Sequence, residues 1–206
     1  MRNGVVGVGV IGTGWGTTIQ APSFSRTPGC KVVGIASSRR ERAEAAARQL
    51  GVPFATDDYR ALLARDDVDL VCVTTPPYLH HEMTLAALAA GKHVLCEKPM
   101  AVDRWQAWEM ERRLREARRI GLIDFMMRFV PARAYMKELI AGGYLGMLYW
   151  VHATHFLGFH GLPMDDVPYD WVAQKKYAGG MLGRMGCHFI DAFRWWFGEI
   201  TGLYAE

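Results

Sequence analysis

From Val5 to Met126, short β-branched runs that stop at glycine or proline alternate with segments that favour helix. This alternation constrains the fold more than any other feature of the chain. "VVGVGVI" (Val5 to Ile11), "KVVGIAS" (Lys31 to Ser37), "VDLVCVTT" (Val68 to Thr75) and "KHVLCEK" (Lys92 to Lys98) read as buried strands. Between them, "RRERAEAAARQLG" (Arg39 to Gly51) and "YLHHEMTLAALAAG" (Tyr78 to Gly91) read as helices closed by a terminal glycine. Strand, helix and strand in succession imply right-handed βαβ units and a parallel sheet covered on both faces. A last short strand is expected around "GLIDFM".

Beyond Arg128 the texture changes. "PARAYMKELIAGGYLG" reads as a helix, and "MLYWVHATHFLGF" alternates in aromatic and β-branched residues as an antiparallel strand would. The expected class is therefore α/β: a Rossmann-type, doubly wound parallel sheet, then an incomplete α+β domain with a mostly antiparallel sheet. The boundary is placed at residue 121, giving a dinucleotide-binding domain over 1–121 and the start of a substrate and oligomerisation domain over 122–206. That second part has too few elements to bury its own faces, so it is expected to be truncated or completed by a partner chain, and prone to association.

Composition excludes some classes. Half of the 206 residues are hydrophobic, enough for a sizeable core, and the formal net charge is only +3. The basic run "EMERRLREARR" (Glu109 to Arg119) interleaves acids at helical spacing, as a solvated helix face does, so no nucleic-acid partner is expected. No apolar run reaches membrane-spanning length and no secretory leader pattern opens the chain, which points away from membranes. The four cysteines lack C-x-x-C spacing and suit reduced thiols in the cytoplasm.

The glycine-rich turn "GVIGTGWGTT" joins the first strand to a helix. Gly7, Gly9 and Gly12 match G-x-G-x-x-G by spelling, but two of them lie within the strand. Gly12 and Gly14 sit at the turn, where small residues let backbone approach a pyrophosphate at a helix N-terminus. In that register Thr17 stands where the third, packing glycine belongs, and Gly16 is the nearest substitute. An acid at the end of the second strand would bind the ribose 2′-hydroxyl of NAD. The chain has Ser37, Ser38, Arg39 and Arg40 there, which favours NADP, with NAD possible. The alternative is that the arginines simply open a solvated helix.

"HVLCEKP" sets Glu97 and Lys98 at the C-terminal end of a strand, where open parallel sheets bind ligands. A lysine there can stabilise oxygen charge that develops during hydride transfer. With "GVIGTGWG", "VTTPPYLHHEMTLAALAAGKHVLCEKPMA", "MRFVPA" and "GGMLGRMGCHFIDAFRWWFGE", the chain resembles the Gfo/Idh/MocA family of nicotinamide-dependent oxidoreductases over essentially its whole length. The resemblance implies that Gly12, Thr13, Gly14 and Trp15 hold the pyrophosphate, and that Ser37, Ser38 and Arg39 line the adenosine ribose. It implies that Thr75, Pro76, Pro77 and His80 run beneath the dinucleotide, and that Glu97 and Lys98 meet nicotinamide and substrate, with Arg128 near the cofactor. The implied reaction is hydride transfer between NAD(P) and a hydroxyl carbon of a sugar, inositol or related polyol. Lys98 and His188 would be the catalytic groups, and a homo-oligomer the usual assembly.

One position departs from the family's pattern. Many members carry an aspartate four residues before the histidine; here it is Arg184, which would lower the basicity of His188 if it lay on the same helical face. Asp191 is the alternative acceptor for the ring. His188 then works as a neutral base with Arg184 binding substrate, or the chain binds NADP without turnover as a regulator or degenerate form, or both residues are structural. Transient oxidation within glycoside cleavage is a further possibility in the wider family. The aromatic run "FRWWFGE" (Phe193 to Glu199) is expected to be core rather than a sugar platform. His155, His160, Asp165, Asp166 and Asp170 lack metal-ligand spacing, so no metal site is expected, and their loop reads as a substrate-contact region.

Overall fold

The structure, a computed structural model, describes residues 4–156 and 171–204. It divides into two compact units, one comprising residues 1–124 with 176–178 and the other residues 125–175 with 179–206.

The first unit is built on one sheet. Its strands are β1 (Val6–Ile11), β2 (Cys30–Ala36), β3 (Ala55–Thr56), β4 (Leu70–Val73), β5 (His93–Cys96) and β6 (Gly121–Ile123). Every strand pair is parallel, in the order β3-β2-β1-β4-β5-β6. The helices between them are α1 (Ala21–Arg26), α2 (Arg40–Leu50), α3 (Tyr59–Leu63), α4 (His80–Ala89) and α5 (Arg104–Ala117). The two-residue period of a strand sends neighbouring side chains to opposite faces, and both faces here are apolar. Val8, Val10, Val32, Ile35 and Cys72 join Ala46 and Ala47 of α2 in one core. Ile11, Val33, Val71 and Val73 join Leu62 and Leu63 of α3 and Ala87 and Leu88 of α4 in the other.

Local chemistry sets the element ends. Asp58 accepts from the Arg60 amide at 2.8 Å and caps α3; Asp103 accepts from the amides of Trp105 and Gln106 at 2.9 Å and caps α5. Gly51 closes α2 in the left-handed conformation at φ 65°, which costs glycine nothing sterically. Strand β6 pairs with β5 through Gly121, Leu122 and Ile123, so residues just past 121 belong to the first sheet and the units divide after Asp124.

The second unit contains α6 (Pro131–Ala141) and α7 (Cys187–Phe197), which pack together. Trp196 Nε1 donates to the Arg133 carbonyl at 3.2 Å, and the Arg133 guanidinium lies over the Phe189 and Trp196 rings at 5.7 and 5.8 Å. These contacts place Trp196 in helix packing, but the aromatic run is not the buried core expected of it: Phe193, Trp195 and Trp196 are half-buried and Phe197 is exposed.

Residues 157–159 of the antiparallel strand expected over 147–159 lie outside the described residues, and the strand does not form in its described part, residues 147–156. That segment has no regular secondary structure, and Tyr149, Trp150 and Phe156 are 87%, 82% and 91% exposed. A strand needs a neighbour for its alternate N–H and C=O groups, and the described residues of this unit supply none.

Candidate active site at the carboxyl edge of the sheet

Because all six strands run in parallel, the segments that follow β1, β2, β4 and β5 emerge at one edge. That edge collects Gly12 to Trp15, Ser37 to Arg39, Thr75 to Pro77, and Glu97 with Lys98. Strand β1 lies between β2 and β4, the place where successive crossovers diverge and open a crevice.

The glycine turn is shaped by three different demands. Gly12 has φ +116°, and a Cβ there would stand 2.7 Å from the Thr74 carbonyl oxygen. Gly14 is exposed and a Cβ on it would meet no atom within 4 Å, so the backbone offers an open face. Gly16 is buried, and a Cβ there would fall 2.2 Å from Thr74 Oγ1 and 2.8 Å from Val10 Cγ1. Gly16, not position 17, is therefore the residue that lets helix and strand approach. The turn runs into a wide π-turn, Gly16–Gln20, that continues as α1. Thr17 Oγ1 donates to the Thr13 carbonyl at 2.6 Å and secures its start. An open glycine backbone at a helix entrance fits a dinucleotide pyrophosphate.

Beside the turn, the Thr13 and Ser37 hydroxyls lie 3.2 Å apart. The two arginines after β2 differ. Arg40 is committed to Glu44 at 3.1 Å and Asp57 at 3.3 Å, whereas Arg39 is exposed and, among the described residues, forms no ion pair.

His80 is fully buried. Its Nδ1 lies 2.9 Å from the Pro99 carbonyl and its Nε2 2.8 Å from the Thr75 carbonyl. It thus ties the segment after β4 to the one after β5. Burial lowers the ring's pKa, and the Lys98 cation adds to that shift. The peptide bond between Lys98 and Pro99 is cis.

Two further residues complete this edge. Gln20 is buried, and its Nε2 donates to Glu97 Oε1 at 3.2 Å and to Asp124 Oδ2 at 2.5 Å. Burial and the adjoining Asp124 push the Glu97 carboxyl up to about 7. Neither partner is among the residues that the sequence singles out. Asp124 directly follows a strand at the ligand edge, a signal the edge rule could have used; Gln20 carries none, since its reach depends on strand order.

Arg128, Arg184 and His188 lie in the second unit. His188 is buried on α7 with its ring edge-on to Phe125, centroids 5.9 Å apart. Asp191, the alternative acceptor for that ring, instead takes a bidentate pair from Arg128 at 2.8 and 2.6 Å. Arg184 belongs to a π-turn, Leu182–Gly186, that precedes α7. The i,i+4 rule holds for α-geometry, so a spacing of four across this wider turn does not by itself stack Arg184 on His188. His155 packs on Phe189 at 4.3 Å, while His160, Asp165, Asp166 and Asp170 fall outside the described residues.

Comparison with known proteins agrees with this arrangement. The family model described as "Oxidoreductase family, NAD-binding Rossmann fold" matches residues 6–125, and the GFO/IDH/MocA C-terminal domain model matches residues 134–206. The chain belongs to the Gfo/Idh/MocA oxidoreductase family. It is 33% identical over 172 residues to a levoglucosan dehydrogenase from Pseudarthrobacter phenanthrenivorans, covering 83% of this chain and 44% of that protein. It is 32% identical over 193 residues to the D-glucoside 3-dehydrogenase of Escherichia coli, covering 93% and 54%. Among solved structures, a levoglucosan dehydrogenase in complex with NADH and levoglucosan aligns with TM-score 0.81 and 31% identity, over 94% of this chain and 54% of that one. A 3-ketoreductase from Actinomadura kijaniata in complex with NADP aligns with TM-score 0.64 and 36% identity, over 69% and 45%. This Gfo/Idh/MocA chain thus spans about half the length of the relatives it matches.

Proposed function

We propose that the chain is a dehydrogenase that transfers a hydride between NADP(H) and a hydroxyl carbon of a sugar or related polyol. The observation that carries this reading is the gathering of the open glycine turn, the Ser37 to Arg39 segment and the Glu97–Lys98 pair at one sheet edge. Relatives named for levoglucosan and D-glucoside substrates support a carbohydrate. Arg39, exposed and without an ion pair among the described residues, and the lack of an acid directly after β2 favour the 2′-phosphate of NADP.

In this reading the Gly12–Gly14 backbone and Trp15 hold the pyrophosphate, and Ser37, Ser38 and Arg39 the adenosine ribose. Thr75, Pro76 and Pro77 form the floor, supported by His80. The nicotinamide, when bound, supplies or accepts the hydride. Lys98 Nζ binds the substrate hydroxyl and stabilises negative charge on its oxygen as the proton leaves. His188 is assigned as the acid/base partner and Arg184 as a substrate contact by the family resemblance. Incubation with NADP⁺ and a panel of pyranosides should give reduced nicotinamide that Lys98→Ala suppresses at least ~100-fold. Nucleotide binding without turnover on any sugar would favour the second reading, a non-catalytic NADP-binding regulator, which the arginine at position 184 supports.

The four free thiols support a cytoplasmic location. The exposed Tyr149, Trp150 and Phe156 support self-association into a homo-oligomer, and a purely monomeric sedimentation profile would contradict it.

A further inference from the structure

Two acids and one amide meet where β5 and β6 end. Gln20 Nε2 has two hydrogens and gives one to each carboxyl, at 3.2 Å to Glu97 and 2.5 Å to Asp124. The Lys98 main-chain N–H donates to the other Glu97 oxygen at 3.3 Å. A neutral amide can satisfy acceptor atoms, but it cannot cancel two like charges held this close in a half-buried place. Among the described residues, the thiols near the pair carry no charge to offset it. Behind it lie the Cys72 thiol of β4 and the Cys96 thiol of β5, both raised by burial, Cys96 to about 12. Lys98 is the adjacent cation, and its Nζ is the group assigned to substrate.

We propose that Asp124 and Gln20 are positioning residues that hold Glu97 as one half of a proton-sharing acid pair, and that binding of the oxidised, cationic nicotinamide expels the shared proton. The second clause rests on the dehydrogenase reading, which places the nicotinamide beside Glu97. The balance is simple. The pair passes from one negative charge with a proton to two negative charges without it; one H⁺ goes to solvent, and the ring's positive charge faces the charge uncovered. The reduced, uncharged nicotinamide offers no such compensation and leaves the proton in place. The direction of Glu97's shift agrees with the shared proton, since burial and Asp124 both act to keep it on the pair.

The test has two arms on the full chain. The first follows side-chain carboxyl ¹³C resonances across pH with no nucleotide present, assigning Glu97 and Asp124 by Glu97→Gln and Asp124→Asn. The expected result is two separated steps belonging to the pair, the upper one near pH 7. Asp124→Asn should lower the upper midpoint without returning it to the free-acid range, because burial still acts on Glu97; ordinary titration of both acids near ~4 in the wild type would overturn proton sharing. The second arm measures binding heats of NADP⁺ and NADPH at neutral pH in buffers of differing protonation enthalpy. NADP⁺ should release more protons than NADPH, with the difference reduced in Asp124→Asn; equal proton counts in the wild type would overturn the linkage. If neither nucleotide binds, the dehydrogenase reading fails and the linkage with it, while the first arm still decides proton sharing. Gln20→Ala provides a second variant should Asp124→Asn fold poorly, and it should shift the same upper midpoint.

Discussion

Substituting alanine at Gly14 and at Gly16 should separate nucleotide binding from folding within one turn. At Gly16 the new Cβ would lie 2.2 Å from Thr74 Oγ1 and 2.8 Å from Val10 Cγ1. Thr74 cannot swing aside freely, because its hydroxyl donates to the Ile11 carbonyl at 2.8 Å. Overpacking of this kind costs about 1–3 kcal/mol, and a disturbed hydrogen bond adds about 1. Alanine's better helix propensity returns about 1 kcal/mol, so the net loss should be about 1–3 kcal/mol. At Gly14 the new Cβ would meet nothing within 4 Å, and the residue is not in the left-handed region. Alanine there should leave stability unchanged or raise it by up to about 1 kcal/mol through the unfolded chain. The same methyl, however, would occupy the open face assigned to the pyrophosphate and should weaken NADPH at least tenfold, or about 1.4 kcal/mol. Urea unfolding and fluorescence titration of both variants measure the two quantities. A Gly14→Ala protein with wild-type NADPH affinity, or a Gly16→Ala protein as stable as wild type, would refute the reasoning.

Other positions carry separate expectations. Arg39→Ala should cost NADPH at least ~10-fold in affinity and leave NADH nearly unchanged, while Arg40→Ala, already paired with Glu44 and Asp57, should do little to either; parallel titrations decide this. His80→Leu would remove the one N–H that the neutral ring can donate to either the Thr75 or the Pro99 carbonyl, both half-buried, and should destabilise by about 1–3 kcal/mol in urea unfolding. Since burial depresses the folded pKa of His80, the unfolded chain binds the proton more readily. Its contribution should be full above an unfolded value of ~6.5 and decline as pH falls below it, a slope absent from His80→Leu. Arg128→Ala would strand the Asp191 carboxylate, whose side chain is 8% exposed. With Arg128 itself partly solvated, the cost should be about 1–3 kcal/mol, only partly rescued by Arg128→Lys, which loses the bidentate fork. A calorimetric melting profile identical to wild type would contradict it.

The parallel sheet was legible because its strands are continuous β-branched runs whose breakers are glycine and proline, so burial and periodicity point the same way. The glycine turn was half legible. Spelling located Gly12 and Gly14, but that Gly16 fills the packing role depends on where Thr74 and Val10 stand once β1 and β4 pair. The Gln20, Glu97 and Asp124 group was invisible for a related reason: its members are 77 and 104 residues from Gln20 in sequence and meet only through strand order. In the second unit the alternation at 147–156 carried a true strand pattern, but a pattern becomes a strand only with a partner. Whether Arg184 shares a face with His188 is not fixed by a spacing of four, because a π-turn, Leu182–Gly186, precedes α7. No periodicity signal in "LGRMG" marks that extra width.

Nucleotide binding at the edge built from Gly12 to Trp15 and Ser37 to Arg39 underlies every function proposed for this chain. The direct measurement is fluorescence titration of the 206-residue chain with NADPH and, in parallel, NADH. Saturable binding of both, tighter for NADPH and weakened toward the NADH value by Arg39→Ala, is the predicted result. Failure of a folded chain to bind either nucleotide would contradict it.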